Sequence, residues 1–230
     1  MIRHLETLLR HSAVLFVGTQ EVANLLEEWK EDEKDGELVA PFLADRNLML
    51  CLRQLLRALL IELVPITRWA VILHAVKDFD LESNDILPLL CETRRRLRDQ
   101  LFGNEPGMLR VPLDRDQEEA LVPWLRHEDG RWFLGIPPEE TQNFLADVRH
   151  LTAQHVERFA LVVRNSELRV FIRRMLQLEF VGVMVLAADE LSEPERAMQL
   201  TAVKGDPTPF GKVNLLDTSA DASISSVSRT

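Results

Sequence analysis

Phe159-Ala-Leu-Val-Val163, Leu168-Arg-Val-Phe-Ile-Arg-Arg-Met-Leu176 and Val183-Met-Val-Leu-Ala-Ala-Asp-Glu-Leu191 together decide the fold. The first run is short and continuously apolar, which suits a strand buried on both faces. Asn165 and Ser166 follow it, and their side-chain oxygens can accept the free backbone amides that open a helix. Leu168, Phe171, Ile172, Met175 and Leu176 then recur at i, i+3, i+4, i+7 and i+8, one face of that helix. Arg169, Arg173 and Arg174 lie off this face and read as surface or interface groups. Gly182 separates the helix from a second apolar run that steps off into Asp189 and Glu190. Strand, helix and strand within about 34 residues fit a parallel β-α-β crossover.

Upstream of this unit the patterning is helical. Ile2, Leu5, Leu8, Leu9 and Val14 or Leu15 share a face; Gly18 breaks the run, and Thr19 is placed to cap a helix through Val22, Leu25, Leu26 and Trp29. The charged run from Glu27 to Gly36 reads as a solvated helix end and loop. Residues 46 to 63 carry the strongest stripe, in Met49, Leu52, Leu55, Leu56, Leu59, Leu60 and Leu63, and Val64-Pro65 is expected to end it. Residues 67 to 79 and 84 to 101 read as two more helices. The second has Asp85 in its first turn and Arg94, Arg95, Arg96 and Arg98 toward its end, as the helix dipole favours.

From Gly103-Asn-Glu-Pro-Gly107, a turn-rich linker, the pattern changes. Met108 to Leu113 alternates like a strand, and Asp114 with Gln117 resembles a capping box. Gly130 to Ile136 is a further strand, Pro137-Pro138 opens a helix, and Met198 to Val203 reads as a last strand. Beyond Gly205 large apolar residues become scarce and the tail reads as disordered. The expected fold class is α+β: an all-helical N-terminal subdomain, then a small α/β subdomain with a β-α-β unit, then a disordered tail.

Composition narrows the function. With 230 residues and 46% hydrophobic content the chain can bury a substantial core. A net charge of -10 argues against nucleic-acid binding, which needs a concentrated basic surface. Cys51 and Cys91 sit inside apolar helical patterns and read as free buried thiols, with no metal-ligand spacing. The longest apolar stretches are broken by Arg53, Arg57 and Glu62, short of a membrane span, and no secretory signal pattern opens the chain.

No catalytic pattern emerges. Gly205-Asp-Pro-Thr-Pro-Phe-Gly211-Lys212 has five residues between its glycines and Val213 where a phosphate loop needs a hydroxyl. His150 and His155 would point about 140° apart on a helix, unlike the i, i+4 pairs that share zinc. His74 lies among apolar neighbours and reads as a packed histidine. No catalytic residue, cofactor or metal is assigned.

Taken in order, several segments resemble the FHIPEP family, the large export-gate proteins of type III secretion and flagellar export. Phe16-Val-Gly-Thr-Gln-Glu-Val-Ala-Asn-Leu-Leu26 resembles its G-x-Q-E-x-x-x-L-L element. Leu52 to Leu60, then Glu62-Leu-Val-Pro65-Ile66 and Ile72-Leu73, resemble its leucine-rich helix, V-P-I turn and following helix. Glu92, Arg95, Leu97 and Arg98 resemble its E-x-x-R-x-x-L-x-R pattern in a shifted register. Leu168 to Leu176, Val185 to Leu191 and Gln199 to Val203 resemble its I-R-R-x-x-R-R-L-I, V-L-S-x-x-E-L and terminal-strand elements. The resemblance covers roughly residues 4 to 204. Thr67, His74 and Ala187 depart from the arginine, glutamate and serine usual there.

The resemblance implies a non-enzymatic scaffold on the cytoplasmic side of the bacterial inner membrane. Copies would assemble into a ring, typically of nine, and help select and pass export substrates. Residues 1–17 would end a preceding subdomain, 18–102 form the helical ring-forming subdomain, 106–204 the α/β subdomain and 205–230 the tail. Implied partners are further copies of the chain, other export-apparatus proteins, and export substrates or their chaperones. Contact with the membrane would run only through an N-terminal region that has no counterpart in these residues. A ring needs two different, complementary patches on one chain. Glu31, Asp32 and Glu33 on the acidic side, and Arg94, Arg95, Arg98, Arg173 and Arg174 on the basic side, are the candidate interface residues. A soluble adaptor that forms no ring, and a hydrolase with an unrecognised site, are the alternatives.

Overall fold

The computed structural model describes residues 14–32, 34–81, 85–102, 108–154, 159–180 and 182–191. Most of the expected N-terminal helix, the Gly103–Gly107 linker, His155, the strand over 198–203 and the tail lie outside these residues, as does Glu33. Among the described residues six α-helices come first: α1 (Thr19–Lys30), α2 (Ala40–Ala44), α3 (Arg46–Ile61), α4 (Trp69–Lys77), α5 (Leu87–Arg96) and α6 (Arg98–Phe102). Then follow β1 (Leu109–Pro112), α7 (Arg115–Leu121), β2 (Leu125–Glu128), β3 (Arg131–Leu134), α8 (Pro138–Gln154), β4 (Phe159–Val163), α9 (Ser166–Leu176) and β5 (Met184–Ala187). The fold is α+β, helices first. Among the described residues no helix is long and apolar enough to cross a membrane.

The apolar stripe of α3 is buried as its spacing predicts, with Leu52, Leu55, Leu56 and Leu59 fully enclosed. Asp45 caps it, accepting from the Asn47 amide at 2.7 Å. Its end differs from the expectation. The helix stops at Ile61, and Leu63 adopts a left-handed conformation with φ 61°. The amides of Leu63 and Val64 bond back to the carbonyls of Leu60 and Leu59 at 3.0 and 2.9 Å. Those two bonds form a Schellman C-cap, and it rather than Pro65 turns the chain. The expected cap of α1 also differs: Gly18 is the cap position, without a side-chain bond, and Thr19 is the first helical residue. The long helix expected over 84–101 is divided at Leu97, which is fully buried. Trp29 of α1 stacks on Trp69 of α4, ring centroids 5.4 Å apart, and joins the two helices at the edge of the core.

β1, β4 and β5 form a parallel sheet in the order β1-β4-β5, with Val111 opposite Leu161 and Leu161 opposite Val185. β4 is buried along its whole length because each face meets a different core. Ala160 and Val162 join Leu186, Val170 and Phe171 in the large core shared with the helices. Phe159, Leu161 and Val163 face the second core, with Val148 and Leu151 of α8 and Leu168, Ile172 and Leu176 of α9. Asn165 caps α9, its Oδ1 accepting from the Leu168 amide at 2.7 Å. β5 is shorter than its apolar run and passes into a single 3-10 turn, Ala188–Glu190.

β2 and β3 form a separate antiparallel hairpin. The strand Leu125–Glu128 was not expected, although the turn Asp129-Gly130 carries positive φ at both positions, 50° and 72°. Asp114 caps α7 through the Asp116 amide at 2.9 Å. Gln117 does not complete a capping box; its amide donates to Asp147 on α8.

Candidate functional site

α9 lies between the second core on one side and α5 and the helical half on another. Side chains off its apolar stripe therefore meet protein, and two of the three arginines expected at the surface are enclosed. Arg169 is 0% and Arg173 1% exposed; on α5, Arg94 is also 0% exposed. Burying three guanidinium groups is strongly unfavourable unless each finds carboxylates or carbonyls. Glu62, the residue capping the end of α3, and Glu190, in the turn after β5, supply the carboxylates, at 3% and 1% exposure.

Arg94 reaches both acids. Its Nε and Nη2 donate to the two Glu190 oxygens at 2.6 and 2.9 Å, its Nη1 lies 2.9 Å from Glu62 Oε2, and Nη2 also donates to the Val185 carbonyl at 3.1 Å. Arg169 donates to Glu62 through Nη1, and its Nε lies 3.7 Å from Glu190 Oε1. Arg173 works on the backbone. It donates to the carbonyls of Val183 at 3.1 Å, Ile61 at 3.3 Å and Phe180 at 3.5 Å. Glu190 is also fixed by the Ala187 amide at 3.0 Å. Cys91 borders the node: Arg169 lies 4.0 Å from its sulfur, and its thiol points at the Ser166 carbonyl at 3.6 Å.

Electrostatics follow from this packing. Burial pushes the Glu190 carboxyl upward, but Arg94, Arg169 and the Ala187 amide outweigh it and hold it below the ordinary value. Burial likewise opposes the charge on Arg169, and Glu62 and Glu190 overcome that and raise it. Arg173 is lowered, by burial first, with Glu62 opposing and Arg94 adding to the shift.

Smaller ties cross between the elements nearby. Asp85 accepts from the Leu87 amide at the start of α5 and from the Trp132 amide of β3, both at 2.9 Å. Glu118, buried on α7, accepts from the amides of Asn165 at 2.8 Å and Arg164 at 3.2 Å and so holds the turn that opens α9. Sequence reasoning missed Glu62, Arg94, Arg169 and Glu190 as a connected polar set, and Glu118 as a separate tie to the Arg164–Asn165 turn.

The interface candidates divide. Arg94 and Arg173 are not surface groups, because the node consumes them. Arg95 is half-exposed at the rim, 3.2 Å from Glu92 and 3.4 Å from Asp189. Arg98 is 57% exposed beside Asp99. Arg174 is exposed, its guanidinium 5.3 Å from the Phe171 ring centre. Glu31 and Asp32 are exposed, and Asp32 Oδ1 accepts the Lys34 and Asp35 amides at 2.9 and 3.0 Å. His74 faces solvent on α4, against the expectation of a packed histidine. Among the described residues no group of three or more His, Cys, Asp or Glu side chains is placed to hold a metal.

The FHIPEP family model matches residues 1–196. The chain belongs to the FHIPEP family. The chain is similar to protein hrpC2 of Xanthomonas euvesicatoria, 26% identical over 189 residues, and to low calcium response locus protein D of Yersinia pestis, 24% identical over 200. These alignments cover 78% and 83% of this chain but 28% and 27% of the relatives, so the chain spans less than a third of their length. A similar fold is seen in the C-terminal domain of InvA, with TM-score 0.71 and 20% identity over 82% of this chain and 58% of that one. The nonameric SctV-C of EPEC gives TM-score 0.69 at 22% identity, with the same coverage. The CdsV protein of Chlamydia pneumoniae, solved in complex with CdsO, gives 0.67 at 18%, over 84% of this chain and 57% of that one.

Proposed function

We propose that this FHIPEP chain is a non-enzymatic scaffold segment of a type III protein-export gate. It self-associates into a ring on the cytoplasmic side of the inner membrane and takes part in selecting and passing export substrates. The family match over residues 1–196 carries this reading, and the likeness of the fold to a domain solved as a nonamer supports it. Residues 18–102 form the ring-building subdomain and residues 106–204 the α/β subdomain. A partner of the CdsO kind is expected at the assembled ring.

A closed ring joins unlike patches head to tail. With Arg94 and Arg173 buried, the basic patch reduces to Arg95, Arg98 and Arg174, facing an acidic patch at Glu31, Asp32 and Glu33. Multi-angle light scattering over a concentration series tests this. Mass should rise with concentration and fall with added salt, since exposed charge contacts are screened. Arg98→Glu should reduce assembly, and Arg98→Glu mixed with Glu31→Arg protein should restore part of it. A species that stays monomeric throughout assigns the chain to the adaptor class instead. Unchanged assembly in the Arg98→Glu protein removes that patch.

A further inference from the structure

We propose that the ionic node of Glu62, Arg94, Arg169, Arg173 and Glu190 is a registry device that selects one orientation of the α/β half against the helical half. It acts within a single chain and does not depend on ring formation. Three observations carry it.

Energetics come first. Buried ion pairs seldom exceed well-packed apolar residues of similar volume in net stabilisation, because desolvation offsets the attraction. Five enclosed charges are therefore weakly explained by stability alone. Their best-attested use elsewhere is to specify register among competing packings.

Directionality is the second. Apolar burial is non-directional, so the contacts of Val162, Phe171 and Leu186 with the helical core tolerate sliding. A guanidinium fork does not, since its N–H groups are fixed in one plane. Arg94 spends that fork on both oxygens of Glu190.

Reciprocity is the third. From the helical half, Arg94 reaches the Val185 carbonyl of β5; from the α/β half, Arg173 reaches the Ile61 carbonyl at the end of α3. Glu62 sits where the left-handed Leu63 fixes the helix end, and Glu190 where the Ala187 amide fixes the turn. A rotation of one half would break bonds to backbone on both sides at once. Asp85, bonded to Trp132, adds a tether at the hairpin.

The test separates orientation from stability. Nitroxide labels at Glu28→Cys on α1 and Glu140→Cys on α8, in a Cys51→Ser background, report the distance between the halves by pulsed electron resonance. The parent should show one narrow distribution. The double variant Arg94→Met/Glu190→Leu removes one charge of each sign and leaves Arg169 with Glu62. It should melt cooperatively near the parent temperature while its distance distribution broadens at least twofold and exchange of the Val185 and Ala187 amides accelerates at least tenfold. An unchanged narrow distribution overturns the proposal. Should the double variant not fold, Arg94→Lys keeps the charge and removes the planar fork. A broadened distribution there supports the registry role, and a narrow one with a lowered melting temperature refutes it.

Discussion

Arg94 and Glu190, 96 residues apart, meet through two bonds of 2.6 and 2.9 Å with neither side chain more than 1% exposed. The pair joins the last long helix of the first half to the turn that closes the sheet of the second. Removing only the cation leaves Glu190 without its fork and Glu62 with Arg169 alone, in a site closed to water. Arg94→Ala should therefore cost about 3–5 kcal/mol of unfolding free energy, the range for an uncompensated buried charge. Urea titration measures it. A loss under about 1 kcal/mol would show that water or a moved side chain compensates the acids.

Glu190 gives the node a pH dependence of definite sign. Its folded value lies below the ordinary 4.5, so folding favours its ionised form. That contribution is fully present above the unfolded value and is lost as pH falls from about 4.5 through the depressed folded value. Glu190→Gln should flatten the melting temperature against pH in this acid window, and leave the slope between pH 6 and 8 unaltered. An identical acid slope in both proteins would assign the acid sensitivity to other carboxylates.

The two thiols should be poor nucleophiles. Burial pushes Cys51 up to about 11 from 9.0; at Cys91 burial does the same, Arg169 opposes it and the nearby acids add to it, again to about 11. At pH 8 the thiolate population is then roughly 100-fold smaller than for a free cysteine. Labelling by Ellman's reagent should be slow for both, and in the Cys51→Ser protein should wait on unfolding. Labelling of that protein as fast as in denaturant would contradict the packing around Cys91.

Periodicity made most of this fold legible because it reports which face of an element meets a core. The stripe Leu52, Leu55, Leu56 and Leu59, the unbroken Phe159–Val163 and the Asn165 cap all behave as their spacing predicts. The same rule failed for Arg169 and Arg173. A stripe describes one face, and α9 is packed on a second face by an element some 75 residues earlier in the chain, which no local window contains. Glu62 and Glu190 are hidden for the same reason: Glu62 meets Arg169 107 residues further on, and Glu190 meets Arg94 96 residues earlier. The hairpin is a different case. Asp129-Gly130 between Leu125–Glu128 and Arg131–Leu134 is a readable turn signal, but Leu125–Glu128 is exposed beyond its first residue and carries no apolar alternation to mark it as a strand.

Leu63 offers the cleanest separation of backbone from side-chain effects. At φ 61° its Cβ crowds the carbonyl, a conformation that disfavours L-residues by roughly 1–2 kcal/mol and leaves glycine nearly unaffected. The strain persists because the Schellman bonds and the enclosed Glu62 hold the helix end in place. Leu63 is also half-buried, so truncation alone removes some apolar contact. Comparing Leu63→Ala with Leu63→Gly cancels most of that loss. The glycine protein should be the more stable by about 1 kcal/mol, the reverse of the order expected inside a helix. Chemical denaturation of the two variants decides it: alanine equal to or above glycine would mean that residue 63 leaves the left-handed region in solution, and that Glu62 reaches the node by another path.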